Sequence, residues 1–349
     1  MNNPGKSLAI RASGMVTAVG FNAPASLAAM RAGIDGMAET NLWDSESGTF
    51  LNAGRVLLPH WWTGLGKLAE LVAPAIYECL EAAHPVRPED IPILLGVPGQ
   101  DRRCRWEGLE DRILDEVEFK LGLKHHYASR VVPMGRVSGA YSLGIAKQLI
   151  ESQQVHCCIV AGVDSFVDQK VVQTYLERRR ILTPVNSNGF TPGEAGSAVL
   201  VVPFQKASGN ELVILGVGTA REKATIESEH PIRGDGMVQA VREALSQANC
   251  SLADTAYRIT DINGEHYKFK EATFVVNRLL QERKSEPLDL WHPIEYIGEV
   301  GAAIVPCILA VALHAGLKGY APGQTALCHV GNDGGDRAAV VVKLNIEGR

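Results

Sequence analysis

One phrase is written twice in this chain, and it points to a fold made of two similar halves. Gly135-Arg136-Val137-Ser138-Gly139-Ala140 opens an apolar stretch that runs to Ile150. Gly298-Glu299-Val300-Gly301-Ala302-Ala303 opens another that runs to Leu317. An apolar, strand-like run follows each, at 157–162 and 326–331. The surroundings repeat too: a helical pattern, an acidic turn and a strand pattern at 67–97 have counterparts at 236–262. Strand patterns alternating with helical ones argue a layered α/β fold. Nearly continuous apolar strands argue sheets covered on both faces. Two sheets enclosing a layer of helices would bury the glycine-led helices, whose Gly and Ala residues suit close packing. An internal two-fold axis would bring the two glycine-led turns together. A site is therefore expected there, with an arginine from one half and a glutamate from the other.

Along the chain, strands are expected at 7–12, 91–97, 130–133, 211–218, 257–262 and 340–344. Helices are expected at 22–32, 109–121, 236–248 and 274–282, and a long amphipathic one at 67–83, bent or begun at Pro74. The halves are expected to span 1–207 and 208–349 as one compact unit, with the boundary in the polar segment 205–210.

Composition removes several function classes. The net charge is -5, from 34 basic and 39 acidic residues, so no basic field exists to attract nucleic acid. Arg102-Arg103-Cys104-Arg105 and Arg178-Arg179-Arg180 read as solvated faces. The longest apolar run, 302–317, contains Pro306 and His314 and falls short of the ~20 residues of a membrane span. Residues 1–25 lack the pattern of a signal peptide. Seven cysteines without a Cys-x-x-Cys pair fit free thiols in a cytoplasmic protein and no zinc site. His125-His126 read as a surface pair, Trp61-Trp62 as packing, and no metal or cofactor is expected.

The order of elements resembles the ketosynthases, the β-ketoacyl-carrier-protein synthases of the thiolase superfamily. Residues 10–20 are similar to the family's opening strand and glycine phrase. Gly189-Phe190-Thr191-Pro192-Gly193-Glu194-Ala195-Gly196-Ser197-Ala198 is similar to its Gly-Phe-x-x-Gly-Glu-Gly-Ala-Gly-Ala phrase. The run from Cys157 to Ser165 resembles the strand that pairs across the family's dimer. Gly331-Asn332-Asp333-Gly334-Gly335 stands where the family has a Phe-Gly-Phe-Gly-Gly turn. The chain is shorter than typical members. The resemblance implies a five-layer αβαβα fold of two pseudo-two-fold-related halves, a homodimer, and an acyl carrier protein or acyl-CoA as partner.

The same resemblance implies that the chemistry is missing. Family members place a cysteine three residues before the glycine of a Ser/Thr-Gly pair. Here the pair is Ser138-Gly139, and Arg136 stands at the nucleophile position. Asn263, followed by Glu265, takes the place of the first histidine, and Glu299 that of the second. Ile294 replaces the lysine and Asp333 the gating phenylalanine.

Arg136 cannot act as a thiolate, because a guanidinium is permanently charged and is no nucleophile. At an exposed helix N-terminus it would cost about 0.3–1 kcal/mol, and in a buried pocket it requires an anion. Three readings stand: an ion pair with Glu299, a grip on an anionic ligand, or a side chain turned to solvent. Ser138, some 200° round a helix from Arg136, reads as a packing residue. His266 reads as a loop residue and Cys328 as an inert core thiol. The expected function is a non-condensing ketosynthase homologue that binds an acyl thioester or carrier protein, or serves as a structural partner, in fatty-acid or polyketide-type metabolism. The alternative is an active acyltransferase or thioester-processing enzyme using Glu299, Asn263 or His266 as acid or base.

Overall fold

The computed structural model describes residues 7–59, 63–205, 209–280 and 288–346. Trp61-Trp62 and the expected boundary at 207/208 lie outside the described residues. The N-terminal strands are β1 (Leu8–Val16), β2 (Met37–Asp44), β3 (Thr49–Gly54), β4 (Ile93–Gly96), β5 (Arg130–Val132), β6 (Cys158–Ser165) and β7 (Glu194–Pro203). They are followed by β8 (Glu211–Arg221), β9 (Tyr257–Thr260), β10 (Asp289–Trp291), β11 (Thr325–Gly331) and β12 (Asp336–Asn345). β2 and β3 form a separate hairpin.

The other ten strands form one sheet in the order β10-β9-β11-β12-β8-β1-β7-β6-β4-β5. Outward from the β8/β1 junction, each side has the same sequence of antiparallel, antiparallel, parallel and parallel pairings. The repeat seen in the phrases is thus a repeat of topology. The two expected sets of strands, one on each side of a middle helix layer, are present and are joined at one edge. β1 and β8 pair antiparallel over Leu8–Ile10, and this short contact joins the two sets of strands.

Helices α1 (Ala23–Arg31), α2 (Leu65–Ala82), α3 (Leu109–Leu121), α4 (Ser138–Glu151) and α5 (Gln169–Leu176) precede β7. Helices α6 (Asp235–Gln247), α7 (His266–Leu279), α8 (Ile294–Ile297) and α9 (Ile304–Leu317) follow β8. α4 and α9 occupy the middle layer, where Ala140, Leu143, Val305 and Ile308 share one core with Leu94, Val160, Ile259 and Cys328. α2 and α3 cover the outer face of the N-terminal strands, and α6 with α7 that of the C-terminal strands. A Cβ on Gly139 would lie 2.6 Å from Val305 Cβ, so glycine permits the close approach of α4 to α9.

Several expected boundaries shift. Pro74 neither begins nor ends α2, which starts at Leu65 and buries Leu68, Leu71, Val72, Ala75 and Ile76 along one stripe. α7 starts at His266 rather than near 274. Its first turns bury Lys268 and Glu271, paired to Asp261 and Arg337, so apolar periodicity could not show them. β6 is flanked by β4 and β7, so its backbone has no free edge to offer a dimer partner. Among the described residues, the sheet ends at β5 and β10.

The register of the repeated phrase is also corrected. The turns before α4 and α9 are Gly135–Val137 and Gly301–Ala303. Gly135 has φ 56 and Gly301 φ 49, and the preceding Met134 and Val300 have φ -113 and -115. Gly301, not Gly298, is therefore the counterpart of Gly135. Arg136 corresponds to Ala302, and Glu299 lies just before the turn. The misreading is physical in origin: Gly298, at φ 74, also occupies the left-handed region, so both glycines fit the phrase.

Candidate functional site

Arg136 leaves the turn before α4 and is 5% exposed. Its backbone N–H donates to Asn332 Oδ1 at 2.8 Å, so the loop between β11 and β12 straps this turn. Its Nε donates to Glu299 Oε1 at 3.0 Å, and its Nη2 lies 2.9 Å from Glu299 Oε2. Its Nη1 donates to Asp333 Oδ1 at 3.0 Å. Of the three readings of Arg136, the structure shows the ion pair with Glu299.

The pair is part of a closed ring. Asn263 Nδ2 donates to Glu299 Oε2 at 2.8 Å and to Glu265 Oε2 at 3.2 Å. Glu265 accepts a bidentate pair from Arg180, at 2.7 Å from Nε and 2.8 Å from Nη2. Arg180 then donates to both oxygens of Asp333, which returns the ring to Arg136. Such fork-to-carboxylate pairs are the strong, geometrically fixed kind. Lys268 with Asp261 and Arg102 with Asp164 add two further pairs nearby. Arg102 also lies over the ring of Phe166, at 3.9 Å from its centroid.

Arg180 was missed in the sequence, where the triplet Arg178-Arg179-Arg180 read as a solvated face. It is 5% exposed. The available signal was charge: Glu265, Glu299 and Asp333 at one site leave two carboxylates unmatched by Arg136, and buried carboxylates need cations.

Electrostatics hold the ring charged. Burial alone would raise the Glu299 pKa, but Arg136, Lys268 and the hydrogen bonds from Arg136 and Asn263 outweigh it, and it falls to about 2. Asp333 is likewise driven down by Arg136 and Arg180 against the cost of burial. Arg136 is raised well above its usual range, since the neighbouring Asp333 and Glu299 outweigh the desolvation that opposes its charge. Among these carboxylates, only Asp333 keeps a partly exposed face, 28% of its side chain. It borders a cavity of about 320 Å³ in front of the ring, also lined by Arg102, Arg103, Tyr175 and Arg178.

The remaining expected residues separate. Ile294 is buried in the middle core and takes no part in the ring. His266 is exposed and opens α7, so it is not a loop residue, and it borders a second cavity that Arg180 and Glu265 also line. Ser138 is buried and donates to Val132 O at 2.9 Å, in a packing role. Cys328 lies in β11, where burial pushes its thiol up to about 12. Among the described residues, no group of three or more His, Cys, Asp or Glu could hold a metal ion. No helix of the described residues is long and apolar enough to cross a membrane.

No protein-family model and no curated protein sequence matches the chain. Solved structures do. A chain from a ketosynthase in complex with its chain length factor, from Xenorhabdus doucetiae, superposes with TM-score 0.76 at 16% identity, covering 97% of this chain and 98% of that one. A type II polyketide acyl-carrier protein–ketosynthase complex gives TM-score 0.79 at 12% identity, with 97% and 99% covered. A ketosynthase from module 6 of the bacillaene synthase of Bacillus subtilis 168 gives 0.73 at 14%, with 97% and 72% covered. The fold is that of the ketosynthases. Within that fold, the ring residues fill the space between the turn before α4, the start of α9 and the loop after β11.

Proposed function

We propose that this protein is a ketosynthase-fold subunit that does not condense acyl thioesters and instead binds or supports an acyl-carrier-linked partner in fatty-acid or polyketide-type metabolism. The observation that carries the reading is the closed ring of Arg136, Glu299, Asn263, Glu265, Arg180 and Asp333. Condensation needs an activated thiolate and donors aimed at a reacting carbonyl. Here the donors of Arg136, Arg180 and Asn263 are aimed at carboxylates of the same chain.

The ring also weighs against the alternative of altered acid–base chemistry. Glu299 Oε1 accepts from Arg136 Nε and from Gly301 N at 3.0 Å, and Oε2 accepts from Asn263. A carboxylate with both oxygens engaged and a pKa of about 2 is a poor proton acceptor near neutral pH. His266 borders a cavity that Arg180 and Glu265 of the ring also line, but both oxygens of Glu265 are already engaged by Arg180.

Partner chemistry follows from the free edge of the sheet. β5 ends the sheet, and Phe119 and Tyr127, in the preceding helix and loop, are 81% and 82% exposed. An unpaired edge beside exposed aromatic side chains supports a dimer, with a second copy or with an active ketosynthase. The solved neighbours include complexes of ketosynthase with chain length factor and with acyl-carrier protein. Seven free cysteines support a reducing, cytoplasmic setting.

The test is a thermal melt with acyl-CoA and acyl-carrier thioesters beside an activity assay on the same samples. A ligand-dependent rise in Tm without turnover supports the reading. Thiolysis or hydrolysis that Glu299→Ala abolishes would replace it with the enzymatic alternative.

A further inference from the structure

A second cavity, of about 240 Å³, lies between α1, the chain around β10, and α9. None of its lining residues belongs to the ring or to the cavity in front of it. Its walls are aromatic. Trp291 and Tyr320 lie 6.1 Å apart between centroids at an interplanar angle of 23°, and Tyr296 stands beside them. Trp291 is itself backed by the buried Tyr257, at 4.7 Å. Leu27 and Met30 of α1 supply an apolar side, and a methionine there can adapt to a ring edge.

One polar group at the mouth has no counter-ion. Arg31, the last residue of α1, lies with its guanidinium 4.7 Å from the centroid of Tyr320. No carboxylate of the described residues pairs with it. The lining also includes His292 and Glu295, with His292 Nδ1 3.7 Å from Glu295 Oε2. The cavity therefore offers an aromatic lining, an apolar side and a permanently charged guanidinium.

We propose that this cavity binds a small aromatic carboxylate, with its ring against Trp291 and Tyr320 and its carboxylate on Arg31. Pockets for drug-sized ligands run from about 300 to 1,000 Å³, so this one suits a molecule of one or two rings. A planar guanidinium matches a carboxylate in bidentate geometry and can keep its place over an aromatic face while doing so. Trp291 and Tyr320, stacked on each other, give the ligand ring aromatic contact along the lining. The site is independent of the ring of charges, so it stands or falls apart from the function proposed above.

The probes are indole-3-acetate and benzoate, against their neutral amides, titrated into the intact protein by calorimetry and by ligand-observed NMR. The carboxylates are expected to bind saturably and their amides to bind at least about tenfold more weakly. Arg31→Gln, on an exposed side chain outside any ion pair among the described residues, is expected to remove that preference while leaving the melting temperature within error. Tyr320→Leu is expected to weaken acid and amide alike. Absence of saturable binding at millimolar concentration, or equal affinity for acid and amide in the unmodified protein, would overturn the proposal. So would a carboxylate preference that survives in Arg31→Gln.

Discussion

Arg136 and Glu299 meet in register, Nε on Oε1 at 3.0 Å and Nη2 beside Oε2 at 2.9 Å, with both side chains cut off from solvent. A buried pair of this kind is expensive to break and contributes little over a well-packed apolar pair. Glu299→Leu should therefore cost about 3–5 kcal/mol in urea unfolding, because it leaves Arg136 with Asp333 alone. Adding Arg136→Met should recover much of that loss. Costs that simply add would show that the two side chains do not depend on each other.

Acid should unfold the protein through the same ring. Glu299 and Asp333 both have folded pKa values below their unfolded ones, and Glu299 falls to about 2. Their stabilisation is thus complete above the ordinary carboxylate range of about 4 to 4.5, and is lost as pH falls from there toward 2. For Glu299 the loss should approach ~3 kcal/mol. Urea midpoints measured between pH 6 and 2.5 should fall steeply, and the slope should be shallower in Glu299→Gln. Parallel curves would remove Glu299 from the account.

The thiols should divide by burial. Cys104 is exposed and Cys250 half-buried. Burial pushes Cys157 up to about 11, and Cys158, Cys307 and Cys328 up to about 12, while Cys79 is raised further. A native thiol titration should show Cys104 reacting first and Cys250 more slowly. The rest should react only on unfolding. Cys104→Ser should abolish the fast phase. A fast phase that survives it would reveal a reactive thiol elsewhere.

The turn before α9 should tolerate no side chain at Gly301. This residue has φ 49, and a Cβ there would sit 1.9 Å from Asp164 Oδ2. Gly301→Ala should destabilise by about 3 kcal/mol through strain and displacement of the Asp164–Arg102 pair. An effect below about 1 kcal/mol would mean that the turn relaxes freely.

Much of this was written locally in the chain. Paired phrases and alternating strand and helix patterns gave the two-fold architecture, because each half repeats its local signals. Arg136, Glu299, Asn263, Glu265 and Asp333 could be placed by resemblance to a catalytic frame. What stayed hidden depended on tertiary partners. Arg180 sat in an arginine triplet that looked solvated. Lys268 and Glu271 broke the apolar stripe of α7 because each is buried against an opposite charge. The edge position of β5, three residues long, follows from sheet order, which no local pattern reveals.

The central claim is that charges of the chain itself fill the place of condensation chemistry. Its most direct test is intact-protein mass spectrometry after incubation with acyl- and malonyl-carrier thioesters, with product analysis of the same mixture. The account predicts no acyl adduct on any residue of the ring or its cavity and no β-ketoacyl product. An acylated side chain in that cavity, or a condensation product lost in Arg136→Ala, would contradict it.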